Sequence, residues 1–340
     1  MRLLNTVYVL DHQARVRIDK GNLRIEQPSG WLRVPIETVD AVLLLGRAEV
    51  SNSALGEMAR RGVTVAALSK TGRLRFTVRG GTKGNVHLRL AQFRAAEDPV
   101  ATARIARAIV AAKLQSARRV ILRWSWDSSR SVSSRFRREA EVLGERVASL
   151  ADSEDGDTIR GIEGDGTRRY FQCMGIHLGV SGAEFFFERR NRRPPRDPVN
   201  ALLSYMYGVV LAEVVGALDA VGLDPQVGFL HRARSGRPSL ALDLLEEFRV
   251  AVVDRFVVAL LARQQIRGEH FDMIGNACYL SDAGRVLVLE HYEEFRAHEV
   301  DHAVAGRRVG RWALPQIQAT LLARFLRGDL PDYPPFVTPP

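Results

Sequence analysis

At 340 residues, 46% hydrophobic and 26% charged, the chain has the make-up of a globular protein of about two domains, which excludes fibrous and wholly disordered classes. Its formal net charge is +10 at pH 7. The basic side is almost all arginine, whose planar fork suits phosphate, so nucleic acid is the first partner to consider.

Two isolated cysteines, Cys173 and Cys278, exclude a disulfide framework and a cysteine zinc site and suit a reducing cytosol. The opening MRLLNTVYVL is too short and too soon interrupted for a signal peptide. No run approaches the ~18–20 apolar residues of a spanning helix, so a cytoplasmic protein without a membrane partner is expected.

The first eighty or so residues read as strands. Val16 and Ile18, then Leu23 and Ile25, alternate with charged residues on either side of Lys20-Gly21-Asn22, a hairpin signature. The runs 41–45 and 63–68 are apolar enough for buried strands. SNSALGEMARR between them predicts a short helix closed by Gly62. Leu74, Phe76 and Val78 alternate with arginines as one more half-exposed strand. RGGTKGN, 79–85, lacks the full spacing of a phosphate loop and reads as a hinge.

From about residue 86 the period becomes helical. Asp98-Pro99 predicts a capped helix start. Residues 101–146 carry eleven Lys/Arg against four Asp/Glu. That stripe is either a solvated helix face or a nucleic-acid backbone contact, and Trp124 and Trp126 beside it read as core. RRNRRPPRD, 189–197, is expected to order only against phosphate. Asp197-Pro198 starts a second capped, mostly apolar helix. Residues 271–289 are less regular, with a hairpin expected around Asp282-Ala283-Gly284. Residues 316–327 form a last amphipathic helix, and PDYPPFVTPP is an extended or disordered tail.

Two stretches invite chemistry. GFLHRARSGRPSLALDLLEEFR, 228–249, sets His231 and several arginines beside a helix whose Asp243, Glu246, Glu247 and Asp254 share one arc. An exposed helix has this pattern, yet clustered carboxylates repel unless a cation sits between them. RGIEGDGTRRYF, 160–171, puts Gly161, Gly164 and Gly166 into a helix at ~1 kcal/mol each, so a bare backbone must be useful there. HEVDH, 298–302, matches the zinc-protease H-E-x-x-H pattern, but no downstream His or Glu follows to serve as third ligand.

EG-x-x-x-R-x-YF, then RRPPRDPVNALLSYMY, then GFLH followed after eleven residues by DLLEEFR, resembles the CRISPR-associated endonuclease family that integrates new spacers. LAQFRAAEDP and IVAAKLQSARRVILR resemble its type I-C branch most. The resemblance implies an α+β protein with a small β-rich, sandwich-like N-terminal domain (1–85) used for homodimer contacts. A mostly helical catalytic domain (86–330) and the Pro-rich tail (331–340) follow.

It further implies a Mn²⁺ or Mg²⁺ ion held by Glu163, His231 and Glu246, with Asp243 as an additional catalytic acid. Spacing alone accepts Glu247 as readily as Glu246. The implied reaction is insertion of spacer DNA into a CRISPR array by 3′-hydroxyl attack on a phosphodiester, with DNA cleavage as a side activity. The implied partners are double-stranded DNA (spacer precursor and CRISPR repeat) and a small companion CRISPR-associated protein.

Two carboxylates and an imidazole suit these ions better than a structural zinc. Arg232, Arg234 and Arg237 are expected to hold phosphates near the ion. Arg189, Arg190, Arg192 and Arg193 of the loop, with Lys113 and Arg119 of the basic helix, are expected as further DNA contacts. The competing readings are a non-catalytic nucleic-acid binder and the zinc protease.

Overall fold

The computed structural model describes residues 6–78, 80, 86–181 and 184–339. Except for Gly80, the RGGTKGN hinge lies outside the described residues. The architecture is mixed α+β, with a strand-rich N-terminal region and a helical C-terminal region.

The N-terminal region holds β1 (Thr6–Val9), β2 (Arg15–Asp19), β3 (Asn22–Gln27), β4 (Gly30–Pro35), β5 (Ala41–Leu45), β6 (Glu49–Val50), β7 (Thr64–Leu68) and β8 (Leu74–Val78), with α1 (Asn52–Arg61) between β6 and β7. The expected hairpin joins β2 to β3, pairing Val16 with Ile25 and Ile18 with Leu23. Lys20 and Gly21, at φ 48° and 77°, supply its turn. One sheet runs β1-β5-β7-β8, its first three strands parallel; the other runs β4-β3-β2-β6. The Ser51 hydroxyl accepts from Ala54 N to start α1, and Gly62, at φ 76°, closes it.

Strand periodicity gives the β1-β5-β7-β8 sheet two buried faces. Val42, Leu44, Val65 and Ala67 pack with Val16, Leu23, Ile25 and Met58 in a core closed by the other sheet and α1. Leu43, Leu45, Ala66 and Leu68 belong to the larger helical core.

That core is built from α2 (Val86–Glu97), α3 (Pro99–Trp126), α4 (Arg130–Ser149), α5 (Gly156–Val180), α6 (Pro198–Val221), α7 (Ser239–Phe248), α8 (Arg255–Ala262), α9 (Asp282–Ala297) and α10 (Leu314–Leu326). Asp98 and Asp197 cap α3 and α6, accepting from Val100 N and Asn200 N. Contrary to the sequence reading, α6 has the length and hydropathy to cross a membrane, but 83% of its most apolar window is buried inside the protein. It docks on the sheet through glycine: a Cβ on Gly208 would lie 1.6 Å from the carbonyl oxygen of Gly72 in the β7–β8 turn. Helix α3 packs against α4, α5 and α7, and so meets every element that carries a candidate site acid.

Two short sheets were missed in the C-terminal region. The hairpin near residue 282 is instead β9 (Phe271–Ile274) with β10 (Ala277–Leu280), turning at Gly275, φ 62°; Asp282 starts α9, capped by Ser281. HEVDH forms β11 (Glu299–His302), paired with β12 (Arg307–Gly310). Extended backbone rises ~3.3 Å per residue, so four residues set the two histidines ~13 Å apart instead of one helical turn, and the zinc-protease reading falls. His302 is buried against Gln318, while His298 Nδ1 lies 2.7 Å from the Glu294 carbonyl.

The tail is extended, and it is docked. Tyr333, Phe336 and Thr338 are buried, and Thr338 N donates to Ser116 Oγ at 3.0 Å.

Candidate active site

The helix after His231 is buried all round, not exposed. Asp243, Glu246, Glu247 and Asp254 are each at most 3% exposed. From Arg249 to Asp254 the helix widens into a π-helical stretch, a rare conformation most frequent beside functional sites. Each buried carboxylate has its own solution.

Asp243 holds the preceding loop. Its Oδ2 accepts from Phe229 N at 2.6 Å and Leu230 N at 3.0 Å, and its Oδ1 accepts from His231 N at 2.9 Å. The same Oδ1 lies 2.7 Å from His231 Nδ1. A carboxylate there fixes Nδ1 as the protonated nitrogen and leaves the Nε2 lone pair facing Glu246 Oε1, 3.9 Å away. Gly228 makes this closure possible, since a Cβ there would lie 2.6 Å from Asp243 Oδ2.

Glu246 turns toward α3 and α5. Its Oε2 is 2.6 Å from the Lys113 ammonium, which also pairs with Glu163 Oε1, and its Oε1 is 3.1 Å from Arg249 Nε. Burial opposes ionisation of Glu246, but the Arg249 and Lys113 cations outweigh it and bring its pKa down to about 2. Thr167, one turn along α5 from Glu163, donates to Glu163 Oε1 at 2.8 Å.

Glu247 faces away, toward the tail. It accepts from Tyr333 OH (2.5 Å), Phe336 N (2.7 Å) and Gln318 Nε2 (2.9 Å). Burial still pushes its pKa up to about 7. Asp254 takes the Tyr207 hydroxyl at 2.5 Å, and burial raises it to about 6.

Glu163, His231 and Glu246 therefore come together from α5, the α6–α7 loop and α7. Among the described residues no three His, Cys, Asp or Glu side chains close on one point as they stand; the Lys113 ammonium stands between the two glutamates. The donor chemistry nevertheless fits a hard divalent ion. Two atoms bound to one Mg²⁺ at ~2.1 Å each are up to ~4.2 Å apart, a limit that the 3.9 Å between His231 and Glu246 respects.

Several positions assigned to DNA lie elsewhere. Lys113 is 4% exposed inside the cage, so it is no surface phosphate contact. Arg190 is turned inward, donating to Asn200 Oδ1 (2.5 Å) and Ser204 Oγ (3.0 Å) over the Tyr207 ring, and its burial lowers its pKa to about 10. Arg119 donates to the Thr338 carbonyl of the tail. The 189–197 loop is ordered without phosphate, because Asn191, Asp197 and Asn200 hydrogen-bond across it.

Arg232 is exposed, with both contacts directed at Asp157 (2.8 and 2.9 Å). Arg189, Arg192, Arg193 and Arg234 are exposed, and Arg237 is half-buried. Although the residue is exposed overall, crowding of its guanidinium by the protein and repulsion from Arg249 lower the Arg192 pKa, while Glu246 and Glu163 act the other way, which places Arg192 at the rim of the cage. The sequence reading gave Lys113 to the DNA surface instead of the cage and did not name Arg249, although both left a signal. Lys113 is in register with buried Ile109 and Ala117, four residues to either side, and Arg249 is one turn beyond Glu246.

Two carboxylates and an imidazole beneath an arginine rim, in a helical region joined to a strand-rich one, form an arrangement suited to phosphodiester chemistry on nucleic acid. Residues 7–294 match the family described as CRISPR associated protein Cas1, and the chain belongs to that family. It is similar to CRISPR-associated endonuclease Cas1 1 of Moorella thermoacetica, 38% identical over 98% of both chains. Among solved structures its fold is similar to a casposase bound to integration product, with TM-score 0.81, 23% identity and 98% and 93% of the two chains covered. A chain of a Cas6-RT-Cas1–Cas2 complex is similar as well, with TM-score 0.80 and 20% identity over 96% of this chain and 35% of that one.

Proposed function

We propose that the chain is a metal-dependent DNA endonuclease and integrase that inserts spacer DNA into a CRISPR array by 3′-hydroxyl attack on a phosphodiester. The observation that carries this reading is the convergence of Glu163 and Glu246 on the single buried ammonium of Lys113, with His231 Nε2 3.9 Å from Glu246, from segments far apart in sequence. The names of the family and of the relatives described above support the same activity.

In this mechanism Glu163, His231 and Glu246 hold Mn²⁺ or Mg²⁺. When bound, such an ion polarises a phosphodiester oxygen and orients an in-line displacement. The protein's own residues prepare the rest. Asp243 fixes the His231 ring and its tautomer, Thr167 orients Glu163, and Arg249 keeps Glu246 ionised and aimed. Arg189, Arg192, Arg193, Arg234 and Arg237 line the approach and hold phosphates of double-stranded DNA. Asp243 touches no reacting atom in this scheme, so it acts as a positioning residue.

The protein works as a homodimer through its N-terminal region, where Trp31 and Leu32 on the outer strand β4 are 62% and 58% exposed. Its companion is a small CRISPR-associated protein, in keeping with the Cas1–Cas2 complex of similar fold. The type I-C branch follows from LAQFRAAEDP and IVAAKLQSARRVILR. A cytoplasmic location suits an array-modifying enzyme. The test is strand transfer by Glu163→Ala with Mn²⁺ added: activity is expected to vanish, and a wild-type rate overturns the reading.

A further inference from the structure

We propose that Lys113 is a displaceable internal counter-cation, holding Glu163 and Glu246 together until a divalent ion enters and moves its ammonium into the cavity beside Asp254. The proposal rests on the metal-site reading above and adds a second resting place for one side chain.

Lys113 reaches from the middle of α3 into the cage and pairs with Glu163 and Glu246, atom to atom. An ammonium and a divalent cation cannot share those oxygens. Both need the same lone pairs, and at contact distance in a poorly hydrated site their repulsion is severe. The ammonium must therefore leave as the ion arrives. It is buried, so retreat into solvent would uncover the whole helix contact.

The structure offers a nearer destination. A cavity of about 10 Å³, the space of roughly one water molecule, is lined by Lys113, Thr167, Tyr170, Tyr207, Arg249 and Asp254 among others. An ammonium group is about that size. Asp254 is 1% exposed, and its Oδ1 accepts from Tyr207. The Tyr170 hydroxyl stands close enough for Asp254 to raise its pKa, so hydroxyl groups are the carboxylate's near partners in this wall. A buried carboxylate served by neutral donors still lacks a counter-charge in contact, and a displaced ammonium supplies one. Lys113 thus exchanges one buried carboxylate environment for another without crossing solvent, and the mutual attraction of the two glutamates for a cation is never left unmet.

The test uses the full-length protein and Mn²⁺ alone, with free ion measured by electron paramagnetic resonance. Lys113→Met removes the competitor and is expected to tighten Mn²⁺ binding by about tenfold or more. Asp254→Asn removes the receiving charge and is expected to weaken binding several-fold in the wild-type background, but not in the Lys113→Met background. That loss of effect separates displacement from the simple removal of a positive charge.

Lys113→Gln, which retains an amide donor toward the glutamates, gives the same comparison if the methionine variant does not fold. Equal or weaker Mn²⁺ binding in the Lys113 variants overturns the proposal, as does an Asp254→Asn effect of the same size in both backgrounds. Mn²⁺ binding unaffected by Glu163→Gln instead places the ion outside the cage and removes the metal-site reading itself.

Discussion

The Asp243→Asn substitution tests the heart of the site, because this carboxylate joins loop geometry to chemistry. Four donors converge on its two oxygens: the backbone N–H groups of Phe229, Leu230 and His231, and His231 Nδ1. Asparagine keeps one oxygen and turns an NH₂ toward the others, so two of the four donors lose their acceptor in a fully buried place. At ~1–3 kcal/mol for each orphaned donor, the expected destabilisation is about 4 kcal/mol. Urea unfolding followed by circular dichroism measures it. Strand transfer should fall at least ~100-fold, since a small displacement of a catalytic group has that effect, and metal affinity should fall ~10–100-fold.

The control is His231→Ala, which removes the imidazole and leaves all three backbone bonds to Asp243 in place. It should abolish activity while changing stability by no more than ~1 kcal/mol. If Asp243→Asn unfolds at the wild-type urea midpoint, or His231→Ala destabilises as much as Asp243→Asn, the division of labour argued for these two residues is wrong.

Three further expectations follow. Tyr333→Phe removes the hydroxyl 2.5 Å from buried Glu247 Oε1 and should destabilise by ~1–3 kcal/mol. Truncation after Leu330 should have a larger effect, and an unchanged melting temperature on truncation would show that the tail does not support the helix. His177, stacked 4.5 Å from Trp124, has its pKa lowered by burial to about 4, so the folded state binds its proton more weakly than the unfolded state does. Its stabilising contribution is present above pH ~6.5 and is lost as pH falls toward 4, amounting after solvent discounting to ~1–2 kcal/mol; in urea melts at pH 7 and 5, His177→Phe should flatten this slope. Gly208→Ala should be severely destabilising, because its Cβ meets the Gly72 backbone, whereas Gly161→Ala, with nothing within 4 Å, should stabilise α5 by ~0.5–1 kcal/mol. Thermal melts that fail to rank the two in that order refute the docking of α6 on the sheet.

The elements legible in the sequence were those whose signals are local. The β2–β3 turn was marked by Lys20-Gly21, the start of α3 by Asp98-Pro99 and that of α6 by Asp197-Pro198, and each was set by chemistry within a few residues. Pairs formed at long range were not legible. Strand β10 is held in part by Cys278 N donating to the Pro195 carbonyl, a contact across 83 positions that no period in 271–289 announces. HEVDH looks helical to a pattern and becomes a strand because β12 lies alongside it. The tail reads as Pro-rich and unstructured because its partners, Glu247, Ser116 and Arg119, are far away in sequence.

The puzzle of four acids on one helix resolves by sorting their partners rather than their spacing. Asp243 is satisfied by backbone N–H groups that cannot leave without unfolding a loop. Glu247 and Asp254 meet neutral donors, so burial prevails and their pKa values rise. Among the helix acids Glu246 has two side-chain cations in direct contact, Lys113 and Arg249, and it is driven down to about 2, whereas Arg249, Arg190 and Lys113 act on Asp254 without outweighing its burial. A ligand for a divalent ion must be ionised at neutral pH and must have a counter-charge that can be exchanged. Asp243 lacks the exchangeable partner, and Glu247 and Asp254 lack the firmly held charge. That is the physical reason for assigning the ion to Glu246, and it would fail if Glu247→Gln abolished Mn²⁺ binding while Glu246→Gln left it intact.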